Sequence, residues 1–155
     1  MLAFFHRHSQ ALQGLAAGVT ALAAVAALIV VPWQIAANDR STRENSAREI
    51  YREFLNITIQ RADLASRDLC APATPVEQAA YEGYVEYLLY TAEQVLTLAD
   101  DWGPTLTARL APHARYLCEF EPADFDGLTD PVAALVRQVT QGCAQLPPCG
   151  AAAAD

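Results

Sequence analysis

The chain has 155 residues, 53% of them hydrophobic, and its formal net charge is −8 at pH 7. It contains no lysine, and residues 38–155 hold nine of the ten arginines and all eighteen acidic residues, for a formal charge of −9. A surface of that sign repels the phosphates of nucleic acid, so no nucleic-acid partner is expected. This part of the chain is long enough for one small hydrophobic core and too short for two.

The first element is an uncharged, predominantly apolar run of twenty residues, Leu12–Val31. At about 1.5 Å per residue, a helix of this length spans about 30 Å, which is the thickness of a bilayer's hydrocarbon core. Phe4 and Phe5 precede the run and Trp33 follows it, as expected for aromatic side chains at the two membrane interfaces. The pattern predicts a single transmembrane helix, with residues 1–37 as tail and membrane anchor.

A cleaved signal peptide is the alternative interpretation of the same segment. Arg7 would then lie in its basic region, and Ile35, Ala36 and Ala37 would form the cleavage region. The hydrophobic regions of signal peptides are usually about 7 to 15 residues long, shorter than this run. We therefore favour a retained anchor that contacts the lipid bilayer.

Small residues follow one another at helical spacing inside the predicted span. Gly14 and Gly18 form a GxxxG pattern, which Ala21 extends. Small side chains let two membrane helices approach closely, so these residues are candidates for packing against another integral membrane protein or a second copy of the chain. An alanine-rich composition without a packing role is the other explanation, and both stay open.

Two signals disagree about the side of the membrane on which the remainder lies. Arg7 is alone before the span, whereas four arginines follow it closely, which favours the cytoplasmic face of a bacterial inner membrane. An even number of cysteines in a small domain favours disulfides and an oxidising compartment. The arginine count gives a preference for the cytoplasmic face, and disulfide bonding would instead indicate the periplasmic face.

Residues 38–142 are predicted to form a bundle of about four helices, which makes the fold class all-α. No proline or glycine lies between Trp33 and Cys70, so the first helix is expected to continue directly from the anchor. A second helix is predicted from the capping box of Thr74 and Glu77 to about Asp100.

Two further helices complete the predicted bundle. The third is expected from Pro104 to about Glu119, with a kink at Pro112. The fourth is expected to have Asp130 as its N-cap and Pro131 at its first helical position, and to end at Gly142. Residues 143–155 are predicted to be a C-terminal tail that is loosely ordered from Gln145 onward.

Four segments resemble a class of small bacterial single-pass membrane proteins with an N-terminal anchor and a compact helical domain. They are residues 33–35, 48–55, 81–89 and 113–117. The resemblance implies the architecture already described. It implies no activity, cofactor or site residue.

The four cysteines are possible disulfide partners. They are separated by 47, 24 and 5 residues, without the close pairs that structural zinc sites usually show, so no metal site is expected. In an up-and-down bundle Cys70 and Cys118 would both follow helices that run away from the membrane, so they could pair. Cys143 and Cys149 would then close a local loop, and buried free thiols are the alternative if the domain is cytoplasmic.

His113 is a lone imidazole without the partner groups that a nucleophilic site requires, and it is predicted to be at or near the surface. Tyr81, Tyr84, Tyr87 and Tyr90 recur every three residues on the second helix. Because such a row winds around a helix, about half of it is expected in the core. Tyr84, Tyr87 and Tyr90 are the candidates for contact with a partner.

No catalytic, metal or cofactor site is predicted from these residues. The sequence therefore suggests a non-enzymatic accessory or scaffolding subunit of a larger membrane complex. The alternative is a membrane-tethered sensor or regulatory domain that binds a small ligand inside its helical bundle.

Overall fold

A computed structural model describes the backbone of residues 2–149 and the side chains of residues 18–149. All regular elements within residues 2–149 are helical, which confirms the all-α fold class. The α-helices are α1 (Leu2–Gln60), α2 (Ala62–Ala65), α3 (Pro75–Leu98), α4 (Gly103–Leu110), α5 (Ala114–Leu117) and α6 (Asp130–Thr140). Short 3₁₀ turns occupy Asp100–Trp102, Ala111–His113, Pro122–Phe125 and Cys143–Gln145.

The chain divides into two compact units between Thr42 and Arg43. Residues 2–42 of the first unit belong to α1, which continues through Pro32. Side chains 18–40 are all exposed, and they include large apolar residues from Val19 to Ile35. Exposed apolar surface on this scale is unfavourable in water, and the length and composition of the helix are compatible with a single membrane span.

The predicted packing residues of α1 are exposed where the structure describes them. Gly18 and Ala21 are solvent-accessible, and a Cβ atom at Gly18 would meet nothing within 4 Å. Gly14 lies outside the residues whose side chains are described. Their role in helix association stays a prediction.

The second unit begins with the last part of α1, which carries one apolar stripe. Ala47, Tyr51 and Phe54 are buried at intervals of four and three residues, which places them on one face of the helix. From this face, Phe54 packs against Tyr84 and Tyr87 of α3. The buried side chains of α3 are Tyr81, Tyr84, Val85, Leu88, Leu89, Thr91, Ala92 and Val95. The core of the domain thus begins between α1 and α3.

Helix α3 begins where the sequence predicts. The Thr74 hydroxyl accepts a hydrogen bond from the Glu77 N–H at 3.3 Å, and the Glu77 carboxylate accepts one from the Thr74 N–H at 2.8 Å. Pro75 occupies the first helical position, where no N–H is needed. These bonds satisfy N–H groups at the start of the helix and fix its first residue.

The predicted third helix is divided in two. Helix α4 gives way to the 3₁₀ turn Ala111–His113, after which α5 contributes one more turn. Pro112 lies in this turn, and its ring nitrogen cannot donate the hydrogen bond that an uninterrupted helix requires. The apolar face is retained across the break, since Leu106, Leu110 and Leu117 are all buried.

Helix α6 closes the core. It has Thr129 as its N-cap and Pro131 in its first turn, so it begins one residue earlier than predicted, and Gln141 is its C-cap. Val132, Leu135 and Val136 are buried, as their spacing predicts.

The cysteines are all oxidised, and their pairing differs from the predicted one. Cys70 is bonded to Cys149 and Cys118 to Cys143, with Cα–Cα distances of 5.1 and 5.8 Å. The expected Cys70–Cys118 and Cys143–Cys149 bonds are therefore wrong. Helix α6 brings Cys143 back to the end of α5, and the segment after it then reaches the connection before α3.

The segment after α6 is fastened to the domain rather than loose. Besides the two disulfides, the Arg115 guanidinium donates a hydrogen bond to the Pro147 carbonyl at 2.6 Å. The predicted loose order is wrong for residues 145–149, and residues 150–155 lie outside the described part of the chain.

Candidate functional site

His113 is buried at the centre of an aromatic cluster. The turn after α4 directs its ring inward, where it is 2% exposed. Its Nδ1 atom lies 2.8 Å from the Tyr81 hydroxyl, and the rings of Tyr81 and Tyr84 are both centred 5.6 Å from its own. The prediction of a surface or half-buried histidine is wrong, because the break at Pro112 turns this residue toward α3.

Burial keeps both partners of this hydrogen bond uncharged. Loss of contact with water lowers the pKa of His113 below its ordinary value. Burial, together with repulsion from Tyr116, raises the pKa of Tyr81 to about 12. The pair is therefore a neutral imidazole and a neutral phenol at physiological pH.

Neighbouring side chains enclose this pair. The Arg67 guanidinium carbon lies 5.7 Å from the centre of the Tyr81 ring, and the Tyr116 ring meets Tyr81 edge-on at 5.6 Å. Cys118 cannot act as a nucleophile beside His113, because its sulfur is bonded to Cys143. The cluster therefore has the arrangement of a packed core.

The tyrosine row divides between the core and the surface, as its spacing predicts. Tyr84 is 5% exposed, and its hydroxyl lies 3.0 Å from that of Thr58, so the prediction that it contacts a partner is wrong. Tyr87 is half-buried and stacks on Phe54 with ring centres 6.3 Å apart. Tyr90 is 56% exposed. For Tyr87 and Tyr90, contact with a partner stays a prediction.

A groove with an apolar floor and an acidic rim lies at the surface beside this cluster. It has a volume of about 560 Å³ between α3, α5 and the connection to α6. We call it the acidic groove. Its buried or half-buried floor consists of Val85, Leu89, Tyr116, Phe120 and Leu128. Its exposed rim consists of Glu82, Glu86, Glu119 and Asp124.

The rim carboxylates act together on the tyrosine between them. Burial raises the pKa of Tyr116, and the four carboxylates raise it further because they repel a phenolate. Within residues 18–149, the ion pairs are formed by other acidic residues and not by the rim. The acidic groove is therefore a place of concentrated negative charge on the surface.

Only two of the four carboxylates on the rim could be grouped from the sequence alone. Glu82 and Glu86 are four residues apart on a helix, so they are expected to share a face. Glu119 and Asp124 join them only because α5 packs beside α3 and the chain then turns at Pro122. That packing is not visible in the local pattern.

In comparisons with known proteins, no family model matches the chain, and neither a curated protein nor a solved structure is significantly similar to it. The interpretation of function therefore depends on the geometry described above.

Proposed function

We propose that the protein is a non-enzymatic, single-pass accessory or scaffolding subunit of a larger complex in the bacterial inner membrane. The observation that carries this proposal is helix α1. Its exposed apolar part has the length of a membrane span, and the same helix contributes Tyr51 and Phe54 to the core of the folded domain. Helix α1 thus contributes both a candidate membrane-spanning segment and part of the core of the domain.

The packing of the domain supports a scaffold over a sensor. Within residues 18–149, every buried side-chain nitrogen or oxygen has a hydrogen-bond partner. A small-ligand site inside a bundle would require polar groups directed at the ligand. His113 Nδ1 and the Tyr81 hydroxyl are instead directed at each other, and the Tyr84 hydroxyl is directed at Thr58.

The disulfides support the periplasmic face for the domain. Bonds of this kind persist in oxidising compartments and are rare in the cytosol. The arginines after the span favour the opposite orientation, but two of them pair with acidic neighbours: Arg48 with Glu44 at 3.8 Å and Arg52 with Glu49 at 3.3 Å. We give the two covalent bonds more weight than the charge count.

Membrane retention is the first test of this proposal. We expect the mature chain to keep its N-terminus and to stay in the membrane fraction after washing with alkaline carbonate. A mature, soluble protein that begins near Asn38 would identify the segment as a signal peptide and would overturn the anchor.

Site-specific photo-crosslinking in native membranes is the second test. A benzophenone amino acid at Tyr90, which is exposed on α3, should give one discrete adduct with another integral membrane protein or with a second copy. The matched control is the same amino acid at Val76, which is 78% exposed at the start of α3. Identical adduct patterns at the two positions, or none at Tyr90, would count against the accessory role.

A further inference from the structure

We propose that the acidic groove is the docking site for a basic, partly apolar peptide segment of a partner protein. The proposal rests on the accessory role proposed above and states the chemistry of the partner. It concerns a surface distinct from the anchor and from the packed core, since the groove lies between α3, α5 and the connection to α6.

The floor of the groove can bury apolar side chains of a bound segment. Leu89 and Val85 are buried beneath it, while Tyr116 and Phe120 are half-buried and meet edge-on with ring centres 5.6 Å apart. Aromatic faces of this kind also accept a guanidinium group. The volume of about 560 Å³ is within the range of ligand-binding clefts.

The rim determines the charge of the occupant. Four carboxylates surround the floor, and none of them forms an ion pair with another described residue. Glu82 accepts a hydrogen bond from the Gln78 amide at 2.9 Å, and Asp124 accepts one from the Glu121 N–H at 2.7 Å, so both are held in position. A cationic segment would relieve the repulsion between these carboxylates.

The spacing of the carboxylates favours an extended cation over a metal ion. Within the described residues, no three acidic, histidine or cysteine side chains are close enough to hold one metal. Negative charge spread around a groove instead matches positive charges distributed along a peptide. The apolar floor between them matches the side chains that alternate with those charges.

Binding of two labelled peptides to the full-length chain in nanodiscs of zwitterionic lipid tests this proposal. Both peptides have about twelve residues, one alternating arginine with leucine and the other arginine with glycine. Fluorescence anisotropy gives their affinities, empty nanodiscs give the background, and spermine serves as a small cationic competitor. The groove variant is Glu82→Gln/Glu86→Gln, and its charge-matched control is Glu49→Gln/Glu53→Gln on α1.

We expect the arginine–leucine peptide to bind the wild type about tenfold more tightly than the arginine–glycine peptide, because only the former fills the apolar floor. The groove variant should weaken binding of the arginine–leucine peptide about tenfold, while the control should stay within about twofold of the wild type. Added salt should weaken binding to the wild type.

Three outcomes would overturn the proposal. Equal losses in the groove variant and the control would show that only the overall charge of the domain matters. Equal affinity for the two peptides, with displacement of both by spermine, would identify a site for small cations. If the chain binds neither peptide but Tyr90 gives a discrete crosslink, the groove is not a docking site and the accessory role is retained. If the chain binds the peptide but no membrane partner is found, the groove proposal is retained and the accessory role is overturned.

Discussion

Tyr81 and His113 are 32 residues apart in the chain, and the hydroxyl of one lies 2.8 Å from Nδ1 of the other. The bond joins α3 to the turn after α4 inside the core. It makes the stability of the domain depend on the protonation of one imidazole.

We expect the domain to lose stability as the pH falls below about 6.5, the ordinary pKa of histidine. Burial lowers the pKa of His113 in the folded state, so the unfolded chain takes up the proton first. The contribution of the neutral His113 to the free energy of unfolding is therefore fully present above about pH 6.5. It is lost as the pH falls toward the lowered pKa of the folded state, by at most about 1.4 kcal/mol per pH unit. Urea unfolding in detergent, followed by Trp102 fluorescence in a Trp33→Phe background, measures the effect.

The control for this pH dependence is His113→Gln, which keeps polar atoms at the site but does not titrate. It should flatten the dependence between about pH 7.5 and about pH 5.5, whatever its absolute stability. Hydrogen bonds from Thr74 lower the pKa of Glu77, so this carboxyl should affect the free energy of unfolding only in more acidic solution. A wild-type midpoint that does not change over this window would contradict the prediction.

Two tyrosine hydroxyls should differ in their contribution to stability. Tyr81→Phe removes the hydrogen-bond partner of a buried imidazole, so we expect a loss of about 1–3 kcal/mol. Tyr84→Phe should cost less, about 0.5–1.5 kcal/mol, because the Thr58 hydroxyl keeps its bond to the Phe54 carbonyl at 2.9 Å. The same unfolding assay compares them, and a larger loss for Tyr84→Phe would disprove the ranking.

The capping box should contribute to the stability of α3. Thr74→Ala removes the side chain that accepts the Glu77 N–H, and we expect a loss of about 1 kcal/mol. Thr97→Ala is the matched control, because its exposed hydroxyl only bonds back to the Glu93 carbonyl within the helix. It should stay within about 0.5 kcal/mol of the wild type. Equal losses would mean that the cap is not a determinant of stability.

Mass-spectrometric mapping of unreduced peptides should give Cys70–Cys149 and Cys118–Cys143 crosslinks. The double variant Cys118→Ser/Cys143→Ser should lose about 3 kcal/mol, since the bond closes a loop of 25 residues. Cys70→Ser/Cys149→Ser opens a longer loop of 79 residues, so a somewhat larger loss is expected from chain entropy. Recovery of reduced thiols from native cells would refute the periplasmic assignment.

Gly18→Ile should weaken association through the membrane helix by about 1–2 kcal/mol without preventing insertion. A Cβ atom at Gly18 would meet nothing within 4 Å among the described residues, so we expect the substitution to act through a second molecule. Ala24→Ile, about 120° around the helix, is the control. If the oligomer or partner complex is recovered unchanged with Gly18→Ile, the glycines have no role in helix packing.

Local features of this fold could be predicted because local forces determine them. The capping box at Thr74 and the stripe of Ala47, Tyr51 and Phe54 follow from helix geometry alone. Pro112 also predicts the break between α4 and α5, because proline has no backbone N–H to donate to the helical hydrogen bonds.

The wrong predictions concern packing contacts between segments that are far apart in the chain. The burial of His113 depends on how sharply the chain turns at Pro112. The local spacing of residues does not predict the angle of that turn. Tyr84 is buried because Phe54 and Thr58 of α1 lie against it. The acidic groove likewise depends on the packing of α5 beside α3, so only its helical half could be read from residue spacing.

The two disulfides are nested, because the Cys118–Cys143 pair lies within the loop closed by Cys70 and Cys149. A chain made from its N-terminus exposes its first two cysteines before either native partner has been synthesised. Oxidation in order of appearance would join the wrong pair, and only thiol–disulfide exchange could correct it. Maturation of this domain in an oxidising compartment therefore requires either delayed oxidation or thiol–disulfide exchange. Disulfides between cysteines adjacent in order along the chain would not impose this requirement.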